Sequence, residues 1–528
     1  MELQAFSATA IHRRSLLTAA TSFFLPCPAG AQTRPELRFG LSTLPTSMDP
    51  HFHNLQANLG PQRQLYEPLV AEDETAQIIP CLAEAWRLIA EDIWEFDLRR
   101  NVRFHDGTPF SAEDVAFSME RIPKVPNSPG LYTTYLSSVR RVEITGPYQV
   151  RIHTHGPAPF LLRQLPLLCI LNAKIHAEAT TAEFNSGKMA IGTGPYRFVS
   201  FVPGQGMEVA PNDAWWGGAP AWRRVVMRQI PNGSARIAGL LANDLDLIEG
   251  VPFADLPSLR ENPEIGIFAA KPSSLYYIAL DTIRDVSPQL VGTNALKDRR
   301  VRQALSLSID RKAIAQRIMD GQADPASQFA PSWADGFDST LPDLAYDPAR
   351  ARALLAEAGF GNGFAMKLHG TQGWVAQDGR FLQAVAQYWT RIGVRTEVET
   401  FPVANYLQRA TQREFSAFFG SSGGSFAAHH MRGLLVTRDP AQGNGTLNRL
   451  LYSNASVDEA VGAAYRTVDD KARNALLARA SRAALEDAAV LPVILATSQW
   501  AGRKSVVAYR APVNSHSNAS LAVPARAN

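Results

Sequence analysis

WEFDLRRNVRFHDGTPFSAEDVAFSMERI, residues 94–122, changes its repeat partway along. WEFDL (94–98) alternates apolar and polar side chains, as a strand with one buried face does. VRF follows Arg99-Arg100-Asn101, and Asp106-Gly107 then supplies a turn. Ser111-Ala112-Glu113-Asp114 has the form of a helix N-cap with an acidic first turn, after which Val115, Met119 and Ile122 share one helical face. The stretch predicts strand, turn, helix.

The same grammar recurs further on. Asp347-Pro348 places a cap and a first-turn proline before Leu354, Leu355 and Ala358, with Gly359 as the stop. RFLQAVAQYWTRI (380–392) ends before Gly393 and leads into VRTEVETF, an alternating strand. Helix, glycine, strand is the order of open α/β layers. No internal repeat appears, and the last residues, SHSNASLAVPARAN, carry no periodicity and are expected to fray.

A chain of 528 residues exceeds one ordinary core, so two or three folded units are expected. Hydrophobic content of 46% and charged content of 19% are those of a globular protein. The formal charge is only +3, and no basic stripe with interleaved aromatics occurs, which sets nucleic acid aside as a partner. Arg13-Arg14 precede the apolar LLTAATSFFL, and Ala29-Gly30-Ala31 follows, so residues 1–31 are expected to be an export signal cleaved after Ala31. The paired arginines suit a twin-arginine signal, and a Sec signal is the alternative. Pro26 before Cys27 does not suit lipidation, so a free periplasmic protein is expected. Beyond the signal no apolar run is long enough to cross a membrane. Cys81 and Cys169 remain, and an oxidising compartment permits a disulfide between them without requiring one.

LAEAWRLIAEDIWEFDLRRNVRFHDGTPFSAEDVAFSMERI (82–122) resembles the signature of the dipeptide/oligopeptide/nickel-binding family of ABC-transporter solute-binding proteins, family 5. Further matches follow in family order: SMDPHFHN and LYEPLV (47–70), GTGPYRF (192–198), NDAWWGGAPAW (212–222), KDRRVRQALSLSIDRKAI (297–314), YDPARARALLAEAGF (346–360) and YSNASVDEAV (452–461). The resemblance implies an α/β, two-lobed periplasmic binding protein of the class II type with a ligand cleft between lobes. It implies lobe I at 32–275 plus 490–528, with an extra subdomain inserted at about 55–191, and lobe II at 276–489. It also implies a monomer that captures a small molecule by closing about a hinge and delivers it to ABC permease subunits without catalysis; no cofactor and no metal ligands are assigned in this sequence.

FFGSSGGSFAAHH (418–430) is the informative departure. In peptide-binding relatives this loop of lobe II presents an aspartate to the ligand's α-ammonium group. Here the segment reads Ser421-Ser422-Gly423-Gly424-Ser425, with Gly424 at the acid's position and no acid between Phe415 and Met431. A buried ammonium without a counter-charge costs several kcal/mol. The loop offers backbone N–H groups and hydroxyls instead, which suit a conjugated peptide-like, acceptor-rich or anionic solute.

His51 and His53, spaced to point the same way on a strand, are ligand candidates from lobe I, with turn residues after Asp49-Pro50 as the other reading. His429 and His430 are adjacent and diverge on either a helix or a strand; a structural, a ligand-contact and a metal role stay open. Family position nominates Tyr132, Tyr135, Tyr276 and Trp374 as cleft walls, core packing being the alternative. Trp215-Trp216 and the Gly192, Gly194, Pro195 turn read as structural, since no nucleotide motif follows. Two further classes compete with this reading: a receptor-like sensor or chaperone partner without an importer, and a secreted hydrolase or metalloenzyme. The second lacks GxSxG, HExxH and CxxC, and His105 lies within the subdomain signature.

Overall fold

The computed structural model describes residues 34–130, 132–290, 292–423, 427–439 and 442–525. The export signal and the loop residues Gly424 and Ser425 lie outside the described residues. Among those described, no helix is long and apolar enough to cross a membrane.

Two mixed sheets organise two lobes. The first has seven strands in the order Ile265–Ala269, Gln499–Arg503, Leu247–Glu249, Glu36–Leu41, Arg224–Gln229, Gly206–Pro211, Tyr196–Val202. Glu36–Leu41 pairs in parallel with both of its neighbours, Arg224–Gln229 and Leu247–Glu249, and the outer pairs are antiparallel. The second sheet has six strands in the order Ala323–Pro325, Val490–Ala496, Ser274–Leu280, Ala417–Gly423, Phe364–Thr371, Val394–Phe401. An antiparallel four-stranded sheet, Ala83–Ala90, Ile93–Leu98, Gln149–Thr154 and Val139–Gly146, forms an inserted unit with its own apolar core.

The opening stretch folds as its pattern predicts. Ile93–Leu98 is a strand, and Ala112–Arg121 is a helix whose Asp114 carboxylate accepts the Ser111 N–H at 2.8 Å in a capping box. Asp347 caps the helix Pro348–Glu357, accepting the Arg350 N–H at 2.8 Å. The helix expected from 380 begins earlier, as Asp378–Arg391, for a reason that belongs to the site below.

Two expectations are corrected. The strand VLPVILA, Val490–Ala496, is expected in lobe I, but it pairs with Ser274–Leu280 in the second sheet, and the chain returns to the first sheet only after Thr497-Ser498. It is buried at every position, as an interior strand covered on both faces must be. The C-terminal segment also does not fray through its described part. Ala519 and Ala522 are buried, Ala522–Pro524 pairs with Val507–Tyr509, and the Trp222 indole donates to the Ala522 carbonyl at 2.8 Å. Its anchors lie far away in sequence, where local periodicity cannot reveal them.

The turn at Gly192–Gly194 is a packing device. A Cβ on Gly192 would stand 1.9 Å from the Leu65 carbonyl oxygen, so no side chain fits. His105 pins the same turn, accepting the Gly192 N–H at Nδ1 (3.1 Å) and donating from Nε2 to the Gly194 carbonyl (3.0 Å). Burial pushes its pKa down to about 4. Trp215 and Trp216 both donate to the Glu67 carboxylate, at 3.0 and 2.9 Å, and burial pushes that carboxyl up to about 7. The tryptophan pair is structural.

These shifts predict an acid-labile fold. His51, His105 and His176 are buried with pKa values lowered to about 4, so between there and about 6.5 the unfolded chain binds more protons. Each contributes stability present above about pH 6.5 and lost as pH falls, at about 1.4 kcal/mol per pH unit. Glu67, raised to about 7, acts with the opposite sign over part of that range and offsets about one of the three protons. Urea unfolding at a series of pH values should show stability falling from pH 6.5 to pH 4.5; a flat or rising profile would contradict the neutral-histidine assignment.

Candidate solute site

A cavity of about 1320 Å³ lies between the two sheets. Its first wall forms at the carboxyl ends of the parallel strands. Glu36–Leu41 continues into Ser42–Thr46, Arg224–Gln229 into Pro231 and Gly233, and Leu247–Glu249 into Gly250–Phe253, and all of these segments line it. Neighbouring parallel strands diverge there in their connections, which is where open α/β sheets leave a crevice. The opposite wall comes from the second sheet: Ser274, Tyr276, Ser421, Gly423 and the loop Gly373–Gln377. The chain crossings Ser273 and Ala496–Gln499 close one side.

One carboxylate builds the loop of the second wall. Buried Asp378 accepts the Thr371 hydroxyl (2.8 Å) and the N–H groups of Gly373 (2.9 Å), Trp374 (2.9 Å) and Gly379 (2.8 Å). This wraps residues 371–377 around one acceptor and starts the helix at Asp378 rather than at 380. Gln377 is forced to φ 60°, a left-handed conformation that a side chain other than glycine adopts at a cost. Trp374 is half-buried edge-to-face against Phe419, and the Tyr276 hydroxyl donates to the Ala376 carbonyl at 3.1 Å.

Among the described lining residues only Arg236 and Glu249 carry a formal charge, and both are engaged within the protein. Arg236 is 4% exposed and donates to the carbonyls of Ile230 (2.6 Å), Pro231 (3.0 Å), Glu249 (2.9 Å) and Gly250 (2.9 Å). Burial lowers its pKa. Glu249 accepts the Ser42 N–H (2.8 Å), the Ser42 hydroxyl (2.6 Å) and the Ser517 hydroxyl, three of about four acceptor positions a carboxylate has. The remaining polar lining is hydroxyls and amides, among them Ser274, Gln377, Ser421, Gln499 and Asn514.

The structure sorts the residues nominated from sequence. Tyr276, Trp374, Ser421 and Gly423 line the cavity. Ser422 faces the other way, as the residue between Ser421 and Gly423 must on a strand. Its hydroxyl shares a 2.6 Å hydrogen bond with His430 Nδ1, and burial pushes that imidazole down to about 3. This serine–histidine pair ties strand to helix on the side away from the cavity.

His51 and His53 do not act together. His51 is fully buried, with Nε2 2.8 Å from the Cys169 carbonyl, because Asp49 claims the loop. The Asp49 carboxylate takes both Arg121 Nη atoms (2.9 and 2.7 Å) and the Thr181 hydroxyl (3.0 Å). Burial would raise its pKa, but the Arg121 bonds outweigh it and hold the carboxyl low. His53 bonds Thr46 Oγ1 through Nδ1 at 3.0 Å, one residue removed from the cavity lining. Tyr132 is buried and donates to the His53 carbonyl at 3.2 Å, so it supports that loop from behind. Tyr135 meets His429 of the second lobe, with ring centroids 6.1 Å apart, outside the cavity lining. Cys81 and Cys169 are free and buried.

Ser42, Arg236, Glu249 and Gln377 were not anticipated from sequence. The available signal was the apolar segment LRFGL ending at Leu41: if it is a parallel strand, Ser42 onward must border the crevice. Asp378 had no comparable signal, because its acceptors are arranged only by the folded loop.

A family model described as bacterial extracellular solute-binding proteins, family 5 Middle, matches residues 77–438. Heme-binding protein A of Haemophilus influenzae is 29% identical over 395 residues, covering 68% of this chain and 69% of its own length. Di/tripeptide-binding protein 2 of Pseudomonas aeruginosa is 27% identical over 479 residues, covering 84% and 86%. Among solved structures, the ABC transporter-associated periplasmic binding protein DppA from Helicobacter pylori in complex with peptide STSA superposes with a TM-score of 0.77 at 23% identity, covering 93% of this chain and 99% of that one. The chain belongs to the family 5 extracellular solute-binding proteins, and its fold is their two-lobed one.

Removing the loop's organiser should be felt at once. Asp378→Ala leaves the Thr371 hydroxyl and several loop N–H groups without their acceptor, and the expected loss is on the order of 3 kcal/mol. Urea unfolding measures it, and hydrogen exchange at residues 373–377 should quicken selectively. Unchanged exchange there would show that the loop does not depend on this carboxylate.

Proposed function

We propose, from this family membership, that the protein is the periplasmic substrate-binding component of an ABC importer, a monomer that encloses a small solute between its lobes and hands it to membrane permease subunits. Export through the N-terminal signal, with cleavage after Ala31, belongs to the same proposal. The observation that carries the solute-binding site is the cavity of about 1320 Å³ with a wall from each lobe. A solute held there touches both sheets at once, so its binding energy favours the closed arrangement by the difference between its affinities for closed and open forms.

The charge inventory supports a solute class. Relatives are named for heme and for di- and tripeptides. In this chain the loop Ser421–Ser425 holds no acid, and the carboxylate and guanidinium that border the cavity are already bonded internally. A free α-ammonium would lack a counter-charge, whereas hydroxyls, amides and backbone N–H groups fit a conjugated, blocked or otherwise acceptor-rich molecule. We propose Ser421, Gly423, Gly424, Ser425, Tyr276 and Trp374 as contacts to it, with Ser42 and Gln377 added. His51, Tyr132 and Ser422 are withdrawn from the contact set because they are bonded elsewhere.

Thermal unfolding against a panel of free dipeptides, blocked peptides, opine-like conjugates, sugars and nickel complexes tests this. One class should stabilise the protein, by about 2.7 kcal/mol at 100 times its Kd. The expected class lacks a free α-ammonium. Tight binding of unmodified dipeptides would overturn the solute assignment, and turnover of any panel member would overturn the receptor reading.

A further inference from the structure

Where the lobes meet away from their chain crossings, one side chain leaves its own core. The segment after the strand Gln149–Thr154 runs through Pro157, Ala158 and Pro159 to Phe160 and the short helix Leu161–Gln164. Ala158, Leu161 and Leu165 join the apolar core of the inserted unit, with Phe96 and Val150. Phe160 does not. It is 3% exposed, and it belongs instead to the apolar cluster of the second lobe that holds Leu434, Leu477 and Ala480.

Its socket is made of two residues from the second lobe. The Tyr465 ring lies 4.6 Å from the Phe160 ring at 58°, and the Arg473 guanidinium stands 5.2 Å from the Phe160 centroid. Arg473 is fixed by the Val468 carbonyl at 2.9 Å and by Asp470, while Arg432 covers Tyr465 at 4.6 Å. The socket is thus built by the second lobe's own bonds, and the inserted unit supplies only the plug. Phe160, Tyr465 and Arg473 are not among the residues lining the solute cavity.

We propose that Phe160 is a latch, a positioning residue that sets solute affinity without touching solute by stabilising the closed arrangement of the lobes. This rests on the hinged-capture reading above. A cavity walled by two lobes binds in proportion to the fraction of molecules already closed, so apparent Kd rises as that fraction falls. An aromatic plug under a guanidinium, desolvated only when the lobes meet, contributes to the closed form alone.

The test reads the hinge directly and needs no identified solute. Lys124→Cys in the inserted unit and Lys471→Cys in the second lobe are exposed sites for a donor and acceptor dye, while Cys81 and Cys169 are buried. Single-molecule energy transfer on the ligand-free chain from Gln32 onward, which lacks Cys27, gives the open and closed populations. Phe160→Ala should raise the open-to-closed ratio about tenfold. Phe160→Leu, which keeps most of the apolar volume and loses the ring contacts, should raise it less and serves if the alanine variant does not fold. A merely structural role would lower the urea midpoint without moving the distance distribution. If a folded variant gives the wild-type distribution, the latch is overturned. In that case a wild type with two populations leaves hinged capture standing, and a single population that no panel member shifts removes it as well.

Discussion

Everything in this molecule hangs on two chain crossings that bond to each other. The first sheet is left after Ala269 and the second entered at Ser274; the return runs from Ala496 to Gln499. Between them the Ala270 N–H donates to the Ser498 carbonyl (3.1 Å) and the Ser273 N–H to the Ala496 carbonyl (3.2 Å). A paired connector resists stretching and shear but can twist, so rotation about it is the motion left to the lobes. Because Ser273 and Ala496–Gln499 also border the cavity, the cavity lies against this connector, and the proposed latch at Phe160 lies where the lobes meet apart from it.

The connector explains which features could be read in the sequence. Signals carried by a few consecutive residues survived: the Ser111 capping box, the Asp347-Pro348 start, the alternation of VRTEVETF. The misplacement of Val490–Ala496 arose because its partner strands lie near 275 and 325, and an apolar run does not announce which sheet it joins. The C-terminal tail was misread for the same reason, its anchors being Trp222 and the strand at Val507. Resemblance supplied the two-lobed plan, which no spacing alone dictates.

The site was legible on one wall only. Ser421 and Gly423 are legible because the loop's missing acid singles them out, and Tyr276 and Trp374 because family position nominates them. On the other wall the histidines attracted notice by residue type, yet Asp49 and Arg121 had already committed His51 to the core. A pair two residues apart shares a face only on a strand, and a turn over Pro50–Phe52 separates His51 from His53, which bridges to Gly130. The groups that do border the cavity there, Ser42 and Glu249, are brought together by parallel pairing of strands more than 200 residues apart, as the 207-residue separation of that hydrogen-bonded pair records. Their mutual saturation, with that of Arg236, leaves a cavity whose uncommitted polar lining is neutral donors and acceptors, which is the ground for the proposed solute class.

Small-angle X-ray scattering on the protein stripped of bound solute, and again after reloading with whatever molecule it carries from the cell envelope, tests the central claim most directly. Closure about the paired connector predicts a smaller radius of gyration on reloading and a return to the stripped value on removal. Superimposable curves in the two states would contradict the claim that the lobes close upon a solute held between them.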